Sequence, residues 1–468
     1  MPHPLTALGL LAGLTLLSPA ALAALDFQPC ADRSDFAELA DSQCARVSMP
    51  ADHAQAGGEQ IELFLRRFPA PGRARGTVWL VAGGPGESGA MFYPLRRQLA
   101  QAFPGYDLII PDHRGTGFST RLCPTEEAVH SPGGAALEGA EWASCYGSLA
   151  QAPARLQQFS LAQAADDLAA LLARDASTGP RYLYAVSYGT QLSLRMLASH
   201  RPRLDGLMLD SLVPRQDDAA HDLSMRSHDV DRAGWQWLAD CAADPACGQA
   251  AGPKLGERYR AWLASQDAAA SDSLRLQLGS LLDGPEPGRD LIRSLNGLLQ
   301  GDSTALQTAQ AAQAARLAPF LAYPQSPPAL PLTQLISASE NDLQPTRSLD
   351  EVRRSEAELG FLSPLPRILA RHRGNSYARS ELALALPLQL PPTLLLHGSH
   401  DPKTSYAGAV SHLQLLRTRG PVSLHRVQGG SHFLLWHAST CSVPALRDFL
   451  ASPHAARAQR ADSECRQP

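Results

Sequence analysis

The feature that most constrains the fold is a repeated one. Three apolar runs in the first half of the chain end in small or polar turn residues: TVWLVAGGPGESG (77–89), YDLIIPDHRGTG (106–117) and RYLYAVSYG (181–189). Continuous hydrophobicity suits a strand buried on both faces, and the turn residues put a loop at its carboxyl end. SLAQAADDLAALLARD (160–175) separates the second run from the third, and TQLSLRMLASH (190–200) follows Ser187; both are amphipathic at helical spacing. Strand, helix, strand, helix predicts a doubly wound, mostly parallel sheet with helices on both faces. LDGLMLDSLVP (204–214) reads as one more strand.

The pattern then changes. From 215 to 388 the chain is rich in Ala, Gln, Asp and Leu at helical spacing, with a Pro-rich break at YPQSPPALPL (323–332), which predicts a mostly helical insertion. Strands resume at PPTLLLHGSHD (391–401) and VSLHRVQGG (422–430), with a helix over 405–418 between them and a last helix near 442–451. Residues 24–214 and 389–468 thus form two parts of one core, interrupted once.

At YLYAVSYGTQL (182–192) a strand runs straight into a helix with Ser187 at the join. The sharp turn that exposes a nucleophilic serine is usually G-x-S-x-G, because strand and helix approach closely there. Gly189 meets that need and Ala185 adds only a methyl group. The competing reading is a serine that merely caps the helix. A serine hydroxyl needs an imidazole to take its proton and a carboxylate to orient that imidazole. Asp401, after LLLHGSH, and His432, in GGSHF, both follow strand ends, and the three occur in the order Ser, Asp, His. Alone, Asp401 could be a turn aspartate before Pro402. His397, His400 and His425 compete for the base, but His425 lies inside a strand and the other two precede the aspartate. An attacked carbonyl also needs two N–H donors for its oxyanion. Tyr188, after the serine, supplies one, and Gly84, in the glycine-rich loop AGGPGESG (82–89), the other. That loop lacks the lysine of a phosphate-binding G-x-x-x-x-G-K-[ST] motif.

Composition narrows the partners. A formal charge of −4 with no basic or acidic block leaves no footprint for nucleic acid or an anionic membrane. LTALGLLAGLTLL (5–17), followed by Ala21-Leu22-Ala23, reads as a cleaved signal peptide over 1–23, although MPHP before it carries no Lys or Arg. It is too short to span a bilayer, and no membrane segment is expected after cleavage. Export to the periplasm or medium agrees with eight cysteines. Their order suggests four local bridges, Cys30 to Cys44, Cys123 to Cys145, Cys241 to Cys247 and Cys441 to Cys465, though order alone does not fix connectivity. A zinc site is the weaker reading, since no C-x-x-C pair exists.

GGPGESG, DHRGTGFS (112–119), VSYGT, HGSHD and GSHF together resemble the exported α/β-hydrolase peptidases of the prolyl-aminopeptidase and tripeptidyl-aminopeptidase group. The likeness covers roughly 45–214 and 389–455; Ala82 replaces a histidine common in the family motif. It implies an α/β-hydrolase fold in which 215–388 is a helical cap, and acidic groups that bind the free amino terminus of a peptide. Glu340, in ISASE (336–340), where Ala338 replaces a family cysteine, and Glu87 are the acids so implied. Read from the residues alone, Glu340 is an exposed glutamate at a helix end.

The expected function is that of an exported serine hydrolase of aminopeptidase type, acting through an acyl-enzyme on Ser187 with no metal or organic cofactor. An esterase or lipase with the same triad is the first alternative, and a binding protein with a dead site the second. Oligomeric state is not encoded in any motif.

Overall fold

The computed structural model describes residues 23–128, 130–131, 140–284, 286–371, 375–451 and 461–466. The expected signal peptide therefore lies, but for its last residue, outside the described residues. One ten-stranded sheet runs through the core in the order β1-β2-β3-β5-β4-β6-β7-β8-β9-β10. The predicted buried runs are β4 (Thr77–Val81), β5 (Asp107–Asp112), β6 (Arg181–Val186), β7 (Gly206–Asp210), β8 (Thr393–Gly398) and β9 (Val422–Gln428). From β5 across to β10 every neighbouring pair is parallel.

Three strands at one edge were not legible as buried runs. β1 (Gln28–Pro29), β2 (Gln43–Pro50) and β3 (Gln60–Phe68) pair antiparallel and join the sheet through β3 and β5. In β2 buried Ala45, Val47 and Met49 alternate with exposed Arg46 and Ser48, the period-2 pattern of a sheet with one face wet. At the other edge β10 (Ser463–Arg466) lies parallel to β9 and is tied to the last helix through Cys441–Cys465.

Helices cover both faces. α1 (Leu161–Ala173) begins at Ser160, whose hydroxyl caps it by accepting from Gln163 N–H, and α2 (Tyr188–Ser199) leaves the serine turn. Between β7 and β8 every regular element among the described residues is helical, including α3 (Arg226–Ala243) and α4 (Leu330–Ile336). Much of this segment packs a core of its own from Tyr259, Leu278, Leu291, Leu295 and Phe361, whereas α4 joins the main core through Leu332, Leu335 and Ile336. α5 (Tyr406–Arg417) and α6 (Ser439–Ala451) complete the main body.

Four disulfides join Cys30 to Cys44, Cys123 to Cys145, Cys241 to Cys247 and Cys441 to Cys465. They are compatible with an oxidising compartment. Among the described residues no helix is long and apolar enough to cross a membrane.

Candidate active site

Ser187 stands between β6 and α2 with φ 53° and ψ −124°, a positive-φ conformation that a non-glycine residue adopts only when its surroundings force it. What forces it is tight packing on either side. A Cβ on Gly189 would lie 2.6 Å from the Val81 carbonyl oxygen, so only glycine lets α2 approach β4. Ala185 is fully buried in β6 between Val81 and Leu209, where its methyl group is accommodated. Ser187 N–H donates to the Asp210 carbonyl at 2.9 Å, fixing the turn to the end of β7.

Asp401 and His432, from the loops after β8 and β9, meet. His432 Nδ1 lies 2.8 Å from Asp401 Oδ2 and 3.1 Å from Oδ1. The carboxylate also accepts from Lys403 N–H at 2.7 Å, Thr404 N–H at 2.8 Å and the Thr404 hydroxyl at 2.8 Å. Burial opposes its charge, yet the His432 imidazole and these donors hold the Asp401 carboxyl well below the usual carboxylate range. Ser187 and His432 face one cavity of about 280 Å³, although no hydrogen bond joins them among the described residues.

The competing histidines are otherwise engaged. His397 is buried beneath the site, with Nδ1 accepting from Leu212 N–H at 3.1 Å and Nε2 2.9 Å from the Thr404 carbonyl oxygen. His400 Nε2 lies 2.9 Å from Asp240 on α3, and His425 Nδ1 is 2.8 Å from Ser463 Oγ beside β10.

Gly84 faces the same cavity as the serine, and Tyr188 directly follows it. Gly84, at φ 117°, lines the cavity, and Tyr188 opens α2, so its N–H has no acceptor within the helix. Glu87, half-buried, lines the same cavity; burial pushes its pKa up, against the pull of nearby Lys403 and His432.

Glu340 departs from its reading as an exposed glutamate. It is 2% exposed, in a π-helical turn (Ser337–Asn341) that continues α4. Its Oε1 accepts from the Tyr377 hydroxyl at 2.9 Å and its Oε2 lies 3.5 Å from Arg379 Nε, with Arg195 also close enough to stabilise its charge. From this stretch Thr333 and Ser337 line the cavity instead. The glutamate is thus buried rather than exposed; burial pushes its pKa up against the pull of these guanidinium groups and the Tyr377 hydroxyl.

Two aspartates that sequence reasoning passed over hold the loops in place. Asp112 accepts from Gly89 N–H at 2.7 Å and Phe118 N–H at 2.8 Å, bracing the Gly84 loop against the DHRGTG turn; burial pushes its pKa up to about 6. In the same turn Arg114 grips Asp167 of α1 through Nε at 2.6 Å and Nη2 at 2.7 Å. Asp210, fully buried, accepts from Leu434 N–H and Leu435 N–H, each at 3.0 Å, and from the Tyr184 hydroxyl at 2.6 Å. It therefore fixes the segment just after His432. Its only sequence signal is its place at a strand end.

Several known proteins are similar to this chain. A 90-residue stretch is 37% identical to carboxylesterase B of Mycobacterium tuberculosis, covering 19% of this chain and 17% of that protein. Serine protease Hip1 of Mycobacterium tuberculosis matches at 25% identity over 249 residues, 49% of this chain and 47% of that protein. Tripeptidyl aminopeptidase of Streptomyces lividans matches at 27% over 276 residues, 54% of this chain and 51% of that protein. The matches thus span at most about half the length of these relatives. Among solved structures, proline iminopeptidase of Mycobacterium smegmatis overlaps with a TM-score of 0.41 at 13% identity, covering 87% of this chain and 98% of that one. The family model described as alpha/beta hydrolase fold matches residues 76–439, which include the strand-end loops bearing Ser187, Asp401 and His432, and the chain belongs to that family.

Proposed function

We propose that this chain is an exported serine hydrolase of the aminopeptidase type, which releases a short N-terminal unit from peptides. The observation that carries the reading is the convergence on one cavity of Ser187, held at positive φ, and of His432, whose Nδ1 is bound by Asp401. Ser187 Oγ attacks the scissile carbonyl carbon while His432 takes the hydroxyl proton, and Asp401 steadies the imidazolium. The N–H groups of Gly84 and Tyr188 receive the oxyanion. Collapse of the tetrahedral adduct breaks the C–N bond, His432 protonates the departing amine, and water, activated by the same imidazole, releases the acyl group. Glu87, on the cavity wall, meets the substrate ammonium. Two relatives named as a serine protease and a tripeptidyl aminopeptidase support peptide chemistry, and four disulfides support export.

The 90-residue likeness to a carboxylesterase favours one second reading, hydrolysis of esters by the same residues. A fluorophosphonate probe is expected to label the wild type and not Ser187→Ala; equal labelling of both would remove the nucleophile. Peptide anilides with a free N-terminus are expected to be cleaved faster than N-blocked ones. A preference for blocked peptides or simple esters selects the second reading.

A further inference from the structure

The wall of the cavity carries a cation that the reaction above does not use. Arg226, at the start of α3, lines the cavity beside Ser187 and His432 and is half-buried. It has no hydrogen bond or ion pair among the described residues. Three carboxylates lie near enough to act on it electrostatically, Asp229, Asp401 and Asp283. Each is engaged elsewhere: Asp229 with Arg232, Asp401 with His432, and Asp283 with Lys403 Nζ. Lys403 lines the cavity too, so the two acids on its wall, Glu87 and Asp283, face two permanent cations, one of them already paired. A partly desolvated guanidinium without a partner is costly, and a planar carboxylate is the group that its paired donors fit.

We propose that Arg226 forms a carboxylate-binding subsite above the catalytic centre, selecting substrates that present a carboxylate near the scissile bond. The inference deepens the hydrolase reading and rests on it for its meaning. The carboxylate has two possible sources, the C-terminus of a short peptide or an acidic side chain. A cavity of about 280 Å³ favours a short occupant, since ligand pockets commonly run from about 300 Å³ upward.

The test measures binding without turnover, so its result stands apart from that of the fluorophosphonate experiment. Peptides are titrated calorimetrically into the full-length Ser187→Ala protein in two matched pairs. The first pair is trialanine as free acid and as C-terminal amide; the second is amidated Ala-Glu-Ala and Ala-Gln-Ala. The carboxylate member of at least one pair is expected to bind tenfold or more tightly than its neutral mate. The first pair responding identifies a terminal carboxylate and the second a side chain. Adding Arg226→Gln brings the ratio close to one, while Arg226→Lys, which keeps the charge but not the fork, retains part of it. Should Arg226→Gln not fold, Arg226→Met replaces it. Equal affinities within both pairs, no binding of any of the four peptides, or a ratio that survives loss of the guanidinium would overturn the proposal.

Discussion

The floor of the cavity and its roof are built on different terms. The floor comes from loops at the carboxyl ends of β4, β6, β8 and β9, where a strained turn and backbone N–H groups donating to buried carboxylates fix the segments. The roof comes from helices between β7 and β8: Arg226 starts α3, whose layer has an apolar core of its own, while Thr333 and Ser337 come from α4 and its π-turn, which pack into the main core through Leu332, Leu335 and Ile336. The floor is held by backbone groups that any substitution nearby disturbs. On the roof, side chains project from helix surfaces and can change one at a time. Chemistry belongs where position is over-determined, and selectivity where it is adjustable.

Three variants sharpen this contrast. Asp401→Asn strikes the floor directly: the imidazole loses the partner that orients it, and kcat is expected to fall about 10⁴-fold for peptide and ester alike, in steady-state assays. A loss confined to one substrate class would give Asp401 to the roof's kind of role. Asp210→Ala touches no substrate, yet it removes the acceptor for Leu434 and Leu435 N–H and lets the His432 segment shift. A misplacement of about 1 Å costs roughly 100-fold, so kcat should drop to about that degree with KM little changed. Unchanged kcat in a protein of lowered melting temperature would make the residue purely structural. Glu340→Gln lies in the joint between roof and floor. It leaves Arg195 and Arg379 short of a buried counter-charge and is expected to lower stability by about 1–3 kcal/mol in denaturant titration. The free-amine over blocked-amine preference should be unaltered; its selective loss would return Glu340 to the substrate.

The six buried parallel strands were legible because each is continuously apolar and ends in a turn. The places of Ser187, Asp401 and His432 in strand-end loops were legible as well, because each follows one of those apolar runs. β2 escaped because its buried residues alternate with exposed ones, and β3 because Glu62, Arg66 and Arg67 interrupt its apolar residues even though most of the strand is buried. Glu340 was misread because a charged residue in a polar stretch looks exposed. Only the fold brings Tyr377 and Arg379 to it, across 37 and 39 residues of chain. Arg226 carries no motif, and its significance lies in the engagement of the acids around it.

Asp210 carries a broader consequence. Its carbonyl oxygen receives Ser187 N–H, while its side chain receives the two N–H groups that follow His432. The Ser187 turn and the segment after His432 are thereby tied together by a single residue at the end of β7. Exchanging the helical layer for another, by recombination or by design, would keep this joint but lose the contacts the layer makes beside the site, from Ser431 Oγ to the Leu282 carbonyl oxygen and from His400 to Asp240. In such a lineage new specificities would arise by replacing the layer and refitting those few contacts.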